Sequence, residues 1–141
     1  MQGNLSSNVS IVTEISENEI ARIIVDACYH IHHQLGPGLL ESVYEIVLAY
    51  ELRKRGLYVE RQVPIEIVWD NVRFEEGFRA DLIVERKVIV ELKSKEEVHP
   101  VDKKQVLTHL RLADKRLGLL VNFSEELIKD GISRIVNGLK E

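Results

Sequence analysis

Two neighbouring stretches decide the fold: Arg79-Ala80-Asp81-Leu82-Ile83-Val84 and, after a short turn, Val88-Ile89-Val90-Glu91-Leu92-Lys93. Each is mainly an apolar run of strand length, which is typical of a buried β-strand. The polar turn between them predicts a hairpin. Asp81 and the Glu91–Lys93 pair interrupt these otherwise apolar runs. Charges inside a buried strand are costly unless they are paired or bind a ligand, so these three residues are candidates for a functional site.

The length of the hairpin loop decides whether the three charged side chains share one face of the sheet. Glu91 and Lys93 share a face because strand residues two apart point the same way. A two-residue loop would pair Asp81 with Leu92 and turn the Asp81 carboxylate to the other face. A three-residue loop, Glu85 to Lys87, would pair Asp81 with Glu91, and a bulge would serve equally well. A functional site requires this odd register, which we adopt as a prediction.

The chemistry of the predicted face is that of a divalent metal site. Carboxylate oxygens are hard ligands that suit Mg²⁺ or Mn²⁺, so Asp81 and Glu91 are the candidate ligands. Such an ion polarises a phosphate, lowers the pKa of a bound water and stabilises a leaving oxygen. Lys93 would position the attacking water or neutralise charge on the phosphate. Taken alone, the spacing also fits a surface Asp and a surface Glu–Lys pair on a half-exposed sheet.

The remaining patterns predict an α/β domain with a mixed sheet. Ser16 and Glu19 form a capping box before a helical repeat, and Gly36-Pro37-Gly38 stops that helix. Pro64 should split its strand or place it at an edge. In chain order we expect a helix up to Leu35, a helix from Leu40 to Arg55, strands at Val59–Trp69, Val72–Phe74, Ala80–Val84 and Val88–Leu92, a helix from Pro100 to Asp114, a strand at Leu117–Phe123 and a helix from Ile128 to Leu139.

The bulk properties predict one domain in a cytoplasmic protein. The 141 residues suit a single compact unit, which we place at 16–141 after a flexible N-terminal tail over 1–15. No apolar run approaches the ~20 residues of a membrane helix, so no membrane partner is expected. The tail lacks a signal-peptide pattern. Cys28 is the only cysteine, which excludes an internal disulfide and a zinc site built from several cysteines.

The charge distribution is uneven. The net charge of −4 argues against a protein that coats DNA, since such proteins are usually basic. Between Arg86 and Arg116, however, the chain has nine Lys and Arg residues and only five Asp and Glu residues. This basic stretch is either a local anion-binding face or an ordinary solvated helix surface.

Several motifs resemble a known family. The spacing of Asp81 and Glu91-Leu92-Lys93 resembles the PD-(D/E)XK nuclease superfamily. More closely, the chain from about Ile20 to Val136 resembles the GxxExxY proteins, a bacterial and archaeal group. The motifs that carry this resemblance are Gly38-Leu39-Leu40-Glu41-Ser42-Val43-Tyr44, Gly77-Phe78-Arg79-Ala80-Asp81, Val90-Glu91-Leu92-Lys93 and Leu117-Gly118-Leu119-Leu120-Val121-Asn122-Phe123. The resemblance implies an α/β fold with a restriction-endonuclease-like core, in which helices flank a mixed β-sheet.

The resemblance also implies further site residues. Glu41 matches a helix glutamate that would be a third acidic ligand or hold a metal-bound water, although a first-turn glutamate also simply favours the helix dipole. Gln105 matches a glutamine that would orient the substrate or Lys93. His109 stands where a tyrosine is often found, on the same helix face as Gln105. Ala80 replaces the proline that usually begins the superfamily motif.

These observations predict a metal-dependent nuclease that hydrolyses phosphodiester bonds in DNA or RNA. The expected cofactor is Mg²⁺ or Mn²⁺, and the expected partner is a nucleic acid. One alternative is a non-catalytic nucleic-acid- or protein-binding module on the same scaffold, which the small size and the acidic net charge favour. A homodimer that forms its groove between two chains is a further possibility. The predicted catalytic residues are Glu41, Asp81, Glu91, Lys93 and Gln105, with Asp81, Glu91 and Glu41 on the metal.

Overall fold

The computed structural model describes residues 14–140, so the predicted tail over 1–15 lies outside the described residues except for its last two. The chain folds into one mixed sheet with flanking helices, as expected. No helix in the described part is both long and apolar enough to cross a membrane. The elements are α1 (Glu17–Leu35), α2 (Glu41–Lys54), β1 (Val59–Trp69), β2 (Val72–Val84), β3 (Val88–Lys93), α3 (Pro100–Ala113), β4 (Leu117–Asn122), α4 (Ile128–Gly131) and β5 (Ile132–Val136).

Within the described residues, the sheet has five strands in the order β1-β2-β3-β4-β5. Strands β3 and β4 are parallel, and the other neighbours are antiparallel. The parallel pair requires a crossover connection, which α3 supplies. The candidate carboxylates therefore lie on β2 and β3, inside the sheet and away from its two edge strands.

The sheet separates two apolar cores. Helices α1 and α2 pack on one face, over a core that includes Leu82, Val90 and Leu119. Helix α3 packs on the other face, where Val106 and Leu110 contact a second core with Ile89 and Leu120. A strand covered on both sides reads as a continuous apolar run, which explains the composition of β3 and β4. We call these the α1/α2 core and the α3 core.

The start and the end of α1 agree with the sequence signals. The Ser16 hydroxyl accepts a hydrogen bond from the backbone N–H of Glu19 at 3.2 Å, which satisfies a donor in the first helical turn. At the other end, Gly36 adopts a positive φ of 71° and its N–H bonds the carbonyl of His32. A residue without a side chain tolerates this backbone conformation, so the glycine ends the helix.

The register of the β2–β3 hairpin is the odd one that the site requires. Val84 pairs with Val88, and Leu82 pairs with Val90, which leaves Glu85, Arg86 and Lys87 in the loop. The first two loop residues, Glu85 and Arg86, adopt left-handed backbone conformations, with φ of 53° and 56°. The predicted three-residue loop is therefore confirmed.

Strand β2 is longer than predicted. The sequence predicted separate strands at Val72–Phe74 and Ala80–Val84, but one strand runs continuously from Val72 to Val84. It pairs along most of its length with β1, through a tight turn at Asp70-Asn71. Pro64 lies within β1, which is an edge strand of the described sheet, where a residue without an N–H is tolerated. Pro64 therefore does not split the strand.

The predicted helix from Ile128 to Leu139 is wrong beyond Gly131. Only four residues are helical, and Ile132–Val136 forms β5 against β4. Without β5, the buried strand β4 would leave a row of backbone groups unpaired. Gly131 also approaches the sheet closely, since a Cβ there would lie 2.2 Å from the backbone oxygen of Asn122. The spacing of the apolar residues fits a helix or a strand, and this segment forms a strand because β4 needs a pairing partner.

Candidate metal centre

Asp81 lies where β2 and β3 stop pairing through their backbones. The last recorded backbone pair is Leu82 with Val90, and the same register places Asp81 opposite Glu91. Here the Asp81 side chain replaces a backbone acceptor, because its Oδ2 accepts a hydrogen bond from the backbone N–H of Leu92 at 2.9 Å. One carboxylate oxygen is thereby fixed between the strands, and Oδ1 is left for another partner.

Glu91 is buried on the α3 side of the sheet, with only 9% of its surface exposed. Its Oε2 lies 2.8 Å from Nδ1 of His109 on α3. The His109 ring in turn stacks on Phe78 of β2, with ring centroids 3.9 Å apart and planes 7° from parallel. Glu91 is thus oriented through one oxygen, and the imidazole that orients it is itself held by an aromatic ring.

Lys93 lies at the end of β3, two residues after Glu91 and on the same face. Within residues 14–140 its ammonium group makes no hydrogen bond or ion pair. The nearby Lys95 is different, because its Nζ pairs with Asp102 at 2.6 Å. The buried Asn122 fixes the chain here by accepting from Lys95 N at 3.1 Å and donating to Lys95 O at 2.8 Å. Asn122 thus fixes the backbone just after β3, and the Lys93 ammonium group is not engaged by this network.

Glu41 begins α2 and faces the segment that follows β3. Its Oε2 accepts a hydrogen bond from the backbone N–H of Ser94 at 3.3 Å. The loop before Glu41 is fixed by Tyr44, whose hydroxyl donates to the carbonyl of Gly36 at 2.6 Å and accepts from Leu39 N at 3.2 Å. Glu41 is exposed, and its charge contributes to the raised pKa of Asp81.

Gln105 lies outside the hydrogen-bond network that joins other candidates within residues 14–140. It is exposed on α3, one turn before His109, and its side chain forms no hydrogen bond with any residue from 14 to 140. The structure therefore gathers Asp81, Glu91 and Lys93 at the β2–β3 boundary with Glu41 beside them, and leaves Gln105 on the outer surface.

Two residues that the sequence analysis did not select belong to this region. Glu45 of α2 is buried, pairs with Arg61 at 3.0 Å and accepts from Gln62 Nε2 at 2.5 Å. The Gln62 amide also lies 3.5 Å from Oδ1 of Asp81. Glu45 had a usable signal, since it follows Glu41 by one helical turn and shares its face. Gln62 had none, because it reads as one more polar residue in an alternating strand.

The carboxylates influence one another electrostatically. Burial raises the pKa of Asp81 to about 6, while the hydrogen bond from Leu92 opposes this and the charges of Glu91, Glu45 and Glu41 add to it. A carboxyl with a raised pKa beside three further carboxylates carries unfavourable negative charge at neutral pH. Such a cluster is stabilised by a cation, which is typical of a metal site.

The donor set fits an open Mg²⁺ site and does not fit a closed cage. No three Asp, Glu, His or Cys side chains within residues 14–140 are arranged to enclose a metal ion. Mg²⁺ does not need such a cage, because it commonly binds one or two carboxylates and keeps several waters. Asp81 and Glu91 match that requirement: Oδ2 of Asp81 and Oε2 of Glu91 are held by the protein, and Oδ1 of Asp81 is approached only by the Gln62 amide at 3.5 Å.

Comparison with known proteins gives one match. A family model described as the PD-(D/E)XK nuclease superfamily matches residues 18–135. The matched segment contains every candidate residue described above and spans most of the chain. No curated protein and no solved structure matches.

Proposed function

Since the chain belongs to the PD-(D/E)XK nuclease superfamily, we propose that it is a metal-dependent nuclease that hydrolyses phosphodiester bonds in DNA or RNA. The observation that carries this proposal is the grouping of Asp81, Glu91 and Lys93 at one point of the sheet. Two carboxylates and an ammonium group that makes no ion pair within residues 14–140 have the chemistry that phosphodiester hydrolysis requires. From the four motifs quoted above, we also propose that the chain is a GxxExxY protein.

Asp81 and Glu91 would hold Mg²⁺ or Mn²⁺, and Glu41 would be a third ligand or bind a water of the ion. One oxygen of each of the first two carboxylates is already engaged, Asp81 Oδ2 by Leu92 N and Glu91 Oε2 by His109, which orients the other two oxygens, Asp81 Oδ1 and Glu91 Oε1. When bound, the ion would polarise the phosphate and lower the pKa of a water.

Lys93 would act on the phosphate itself. Its ammonium group projects from the same face as Glu91 and is not consumed by an ion pair within residues 14–140. A fixed positive charge beside a phosphate stabilises the negative charge that develops during hydrolysis, and it can also orient the attacking water. Gln105, exposed one turn from His109, would contact the substrate or orient Lys93 from α3.

A basic surface supports nucleic acid as the substrate. Lys103, Lys104 and Arg111 are exposed on α3, the helix that carries His109. They belong to the basic stretch within an otherwise acidic chain. Lys and Arg side chains neutralise the phosphate backbone in a sequence-independent way. We therefore propose that the substrate approaches the carboxylates along α3.

A second candidate function is a non-catalytic nucleic-acid- or protein-binding module on the same scaffold. It is favoured by one observation: the described residues contain no enclosed group of three metal ligands. In that case the carboxylates would be remnants, and removing Glu91 or Lys93 would leave nucleic-acid binding unchanged.

Removal of the metal is the first test of the nuclease proposal. The native chain is incubated with labelled single-stranded and duplex DNA and RNA in Mg²⁺, in Mn²⁺ and in excess EDTA. We expect cleavage of at least one substrate with metal, none in EDTA, and recovery when Mn²⁺ is added back, because the carboxylates cannot activate water without the ion. Product formation is followed on denaturing gels.

The same preparation carrying Asp81→Asn controls for contaminating nuclease, since a contaminant would survive the substitution. No cleavage of any of the four substrates, together with nucleic-acid binding that persists in Glu91→Ala, would contradict the nuclease proposal and support the binding module.

A further inference from the structure

Gln62 has an unusual backbone conformation for its position. It lies within β1 with a positive φ of 52°, in the left-handed region. Residues with a side chain rarely adopt this region, and glycine does so readily. A glutamine that persists in such a conformation costs folding free energy that a glycine would not cost. Strain of this kind is found preferentially at functional sites, where the side chain is needed.

Near Gln62, the side chains of β1 and β2 no longer alternate regularly between the two faces of the sheet. In β1, Val59 belongs to the α1/α2 core, whereas Val63 packs against the α3 core. In β2, Leu82 belongs to the α1/α2 core and Ala80 to the α3 core. Residues an even number apart share a face in a regular strand, so the regular alternation is interrupted in both strands between these positions. Gln62, with its left-handed backbone, lies between Val59 and Val63, where this change occurs in β1.

The Gln62 amide lies between two carboxylates. Its Nε2 lies 2.5 Å from Oε1 of Glu45 and 3.5 Å from Oδ1 of Asp81. Ionised carboxylates only accept hydrogen bonds, so the NH₂ end of the amide, with its two donors, must be the end between them. The position of the Glu45 carboxylate is well fixed, because it is buried and forms an ion pair with Arg61 at 3.0 Å.

We propose that Gln62 is a positioning residue of the metal centre, whose amide, hydrogen-bonded to Glu45, orients Oδ1 of Asp81 toward the cation. This inference rests on the proposed function. Leu92 N fixes Oδ2 of Asp81, so the direction of Oδ1 depends on what faces it, and the amide is there. Carboxylates that bind metals are commonly hydrogen-bonded by such neighbours, which raise affinity without touching the ion.

The strain at Gln62 makes a sharp experiment possible. Gln62→Gly removes the amide and relieves the backbone, whereas Gln62→Met removes the amide and keeps a side chain of similar length. We expect both variants to bind Mn²⁺ about 10-fold or more weakly than the native chain. We also expect the thermal midpoint of the glycine variant to be equal to the native one or higher. Gln34→Met, at an exposed position on α1, is the matched control and should bind Mn²⁺ normally.

The outcomes separate the positioning role from a structural one and from failure of the site. If the native chain binds Mn²⁺ and both Gln62 variants bind it within a factor of about two, the inference is overturned. It is also overturned if affinity falls only together with the thermal midpoint in both variants, since that would be a structural effect. If the native chain binds no Mn²⁺, the proposed function fails, and the inference falls with it.

Discussion

Asp81→Asn is expected to abolish cleavage and, at the same time, to stabilise the folded protein at neutral pH. The amide keeps an oxygen that can accept the hydrogen bond from Leu92 N, so the local backbone should be preserved. It loses the negative charge that would hold the cation, and we expect the cleavage rate to fall by about 10³-fold or more. The rate is measured with saturating Mn²⁺ on the substrate that the native chain cuts best.

The gain in stability follows from the sign of the pKa shift. The pKa of Asp81 rises from 3.8 to about 6 on folding, mainly through burial, so the fold favours the protonated carboxyl. The contribution of that carboxyl to stability is complete below the unfolded pKa and is lost as pH rises through the folded pKa. Asparagine resembles the protonated form. The advantage of the variant should therefore be largest at pH 8 and should vanish near pH 4.

The expected difference is measurable. Allowing for screening by the solvent that reaches Asp81, we expect the metal-free variant to gain about 1 kcal/mol at pH 8. This corresponds to a thermal midpoint about 3 °C higher. Glu75→Gln, at an exposed position of β2, is the control and should change neither stability nor cleavage. Equal stability of Asp81→Asn and the native chain at pH 8 would contradict an unfavourable burial of the Asp81 charge.

Lys93→Met is expected to separate cleavage from metal binding. Methionine keeps much of the apolar stem and removes the ammonium group, which has no ion-pair partner within residues 14–140. If Lys93 acts on the phosphate, the cleavage rate should fall by about 10²–10³-fold, the typical effect of removing one stabilising donor. Mn²⁺ affinity should be equal to that of the native chain or higher, because a repelling positive charge near the ion is lost.

The readouts for Lys93 are the single-turnover cleavage rate and the Mn²⁺ dissociation constant of the same samples. Lys129→Met, at an exposed position of α4, is the matched control. An unchanged cleavage rate would remove Lys93 from the proposed mechanism. Loss of Mn²⁺ binding in Lys93→Met would instead mean that the lysine supports the local structure.

The hairpin could be predicted from the sequence because its signals are local. Apolar runs of strand length marked β3 and the end of β2, and the requirement that Asp81 and Glu91 share a face chose the three-residue loop. The pairing of Val84 with Val88 confirms that choice. Helix starts were equally local, as the hydroxyl of Ser16 demonstrates.

The end of the chain could not be predicted in the same way. Ile128, Ile132 and Ile135 are spaced as on a helix, but Ile132 packs on the α1/α2 core and Ile135 on the α3 core. That arrangement exists only because β4 has a free edge for β5 to pair with. A non-local requirement overrode the local period.

In the candidate site too, the residues in local motifs could be predicted and those that depend on non-local contacts could not. Asp81, Glu91, Lys93 and Glu41 stand in short motifs, so the sequence could nominate them, although their roles remain predictions. The network of Glu45 and Gln62 depends on contacts between α2 and β1 and on a left-handed residue inside a strand. A glycine or asparagine would have hinted at that conformation, but a glutamine does not.

Calorimetric titration with Mn²⁺ tests the central claim most directly, using the native chain, Glu91→Ala and the control Glu75→Ala. The account predicts saturable binding with a dissociation constant on the order of 1 mM or below for the native chain and the control. Binding should weaken below a pH of about 6, where Asp81 becomes protonated. It should disappear in Glu91→Ala. Absence of binding in the native chain, or equal binding in Glu91→Ala, would contradict a metal centre built on Asp81 and Glu91.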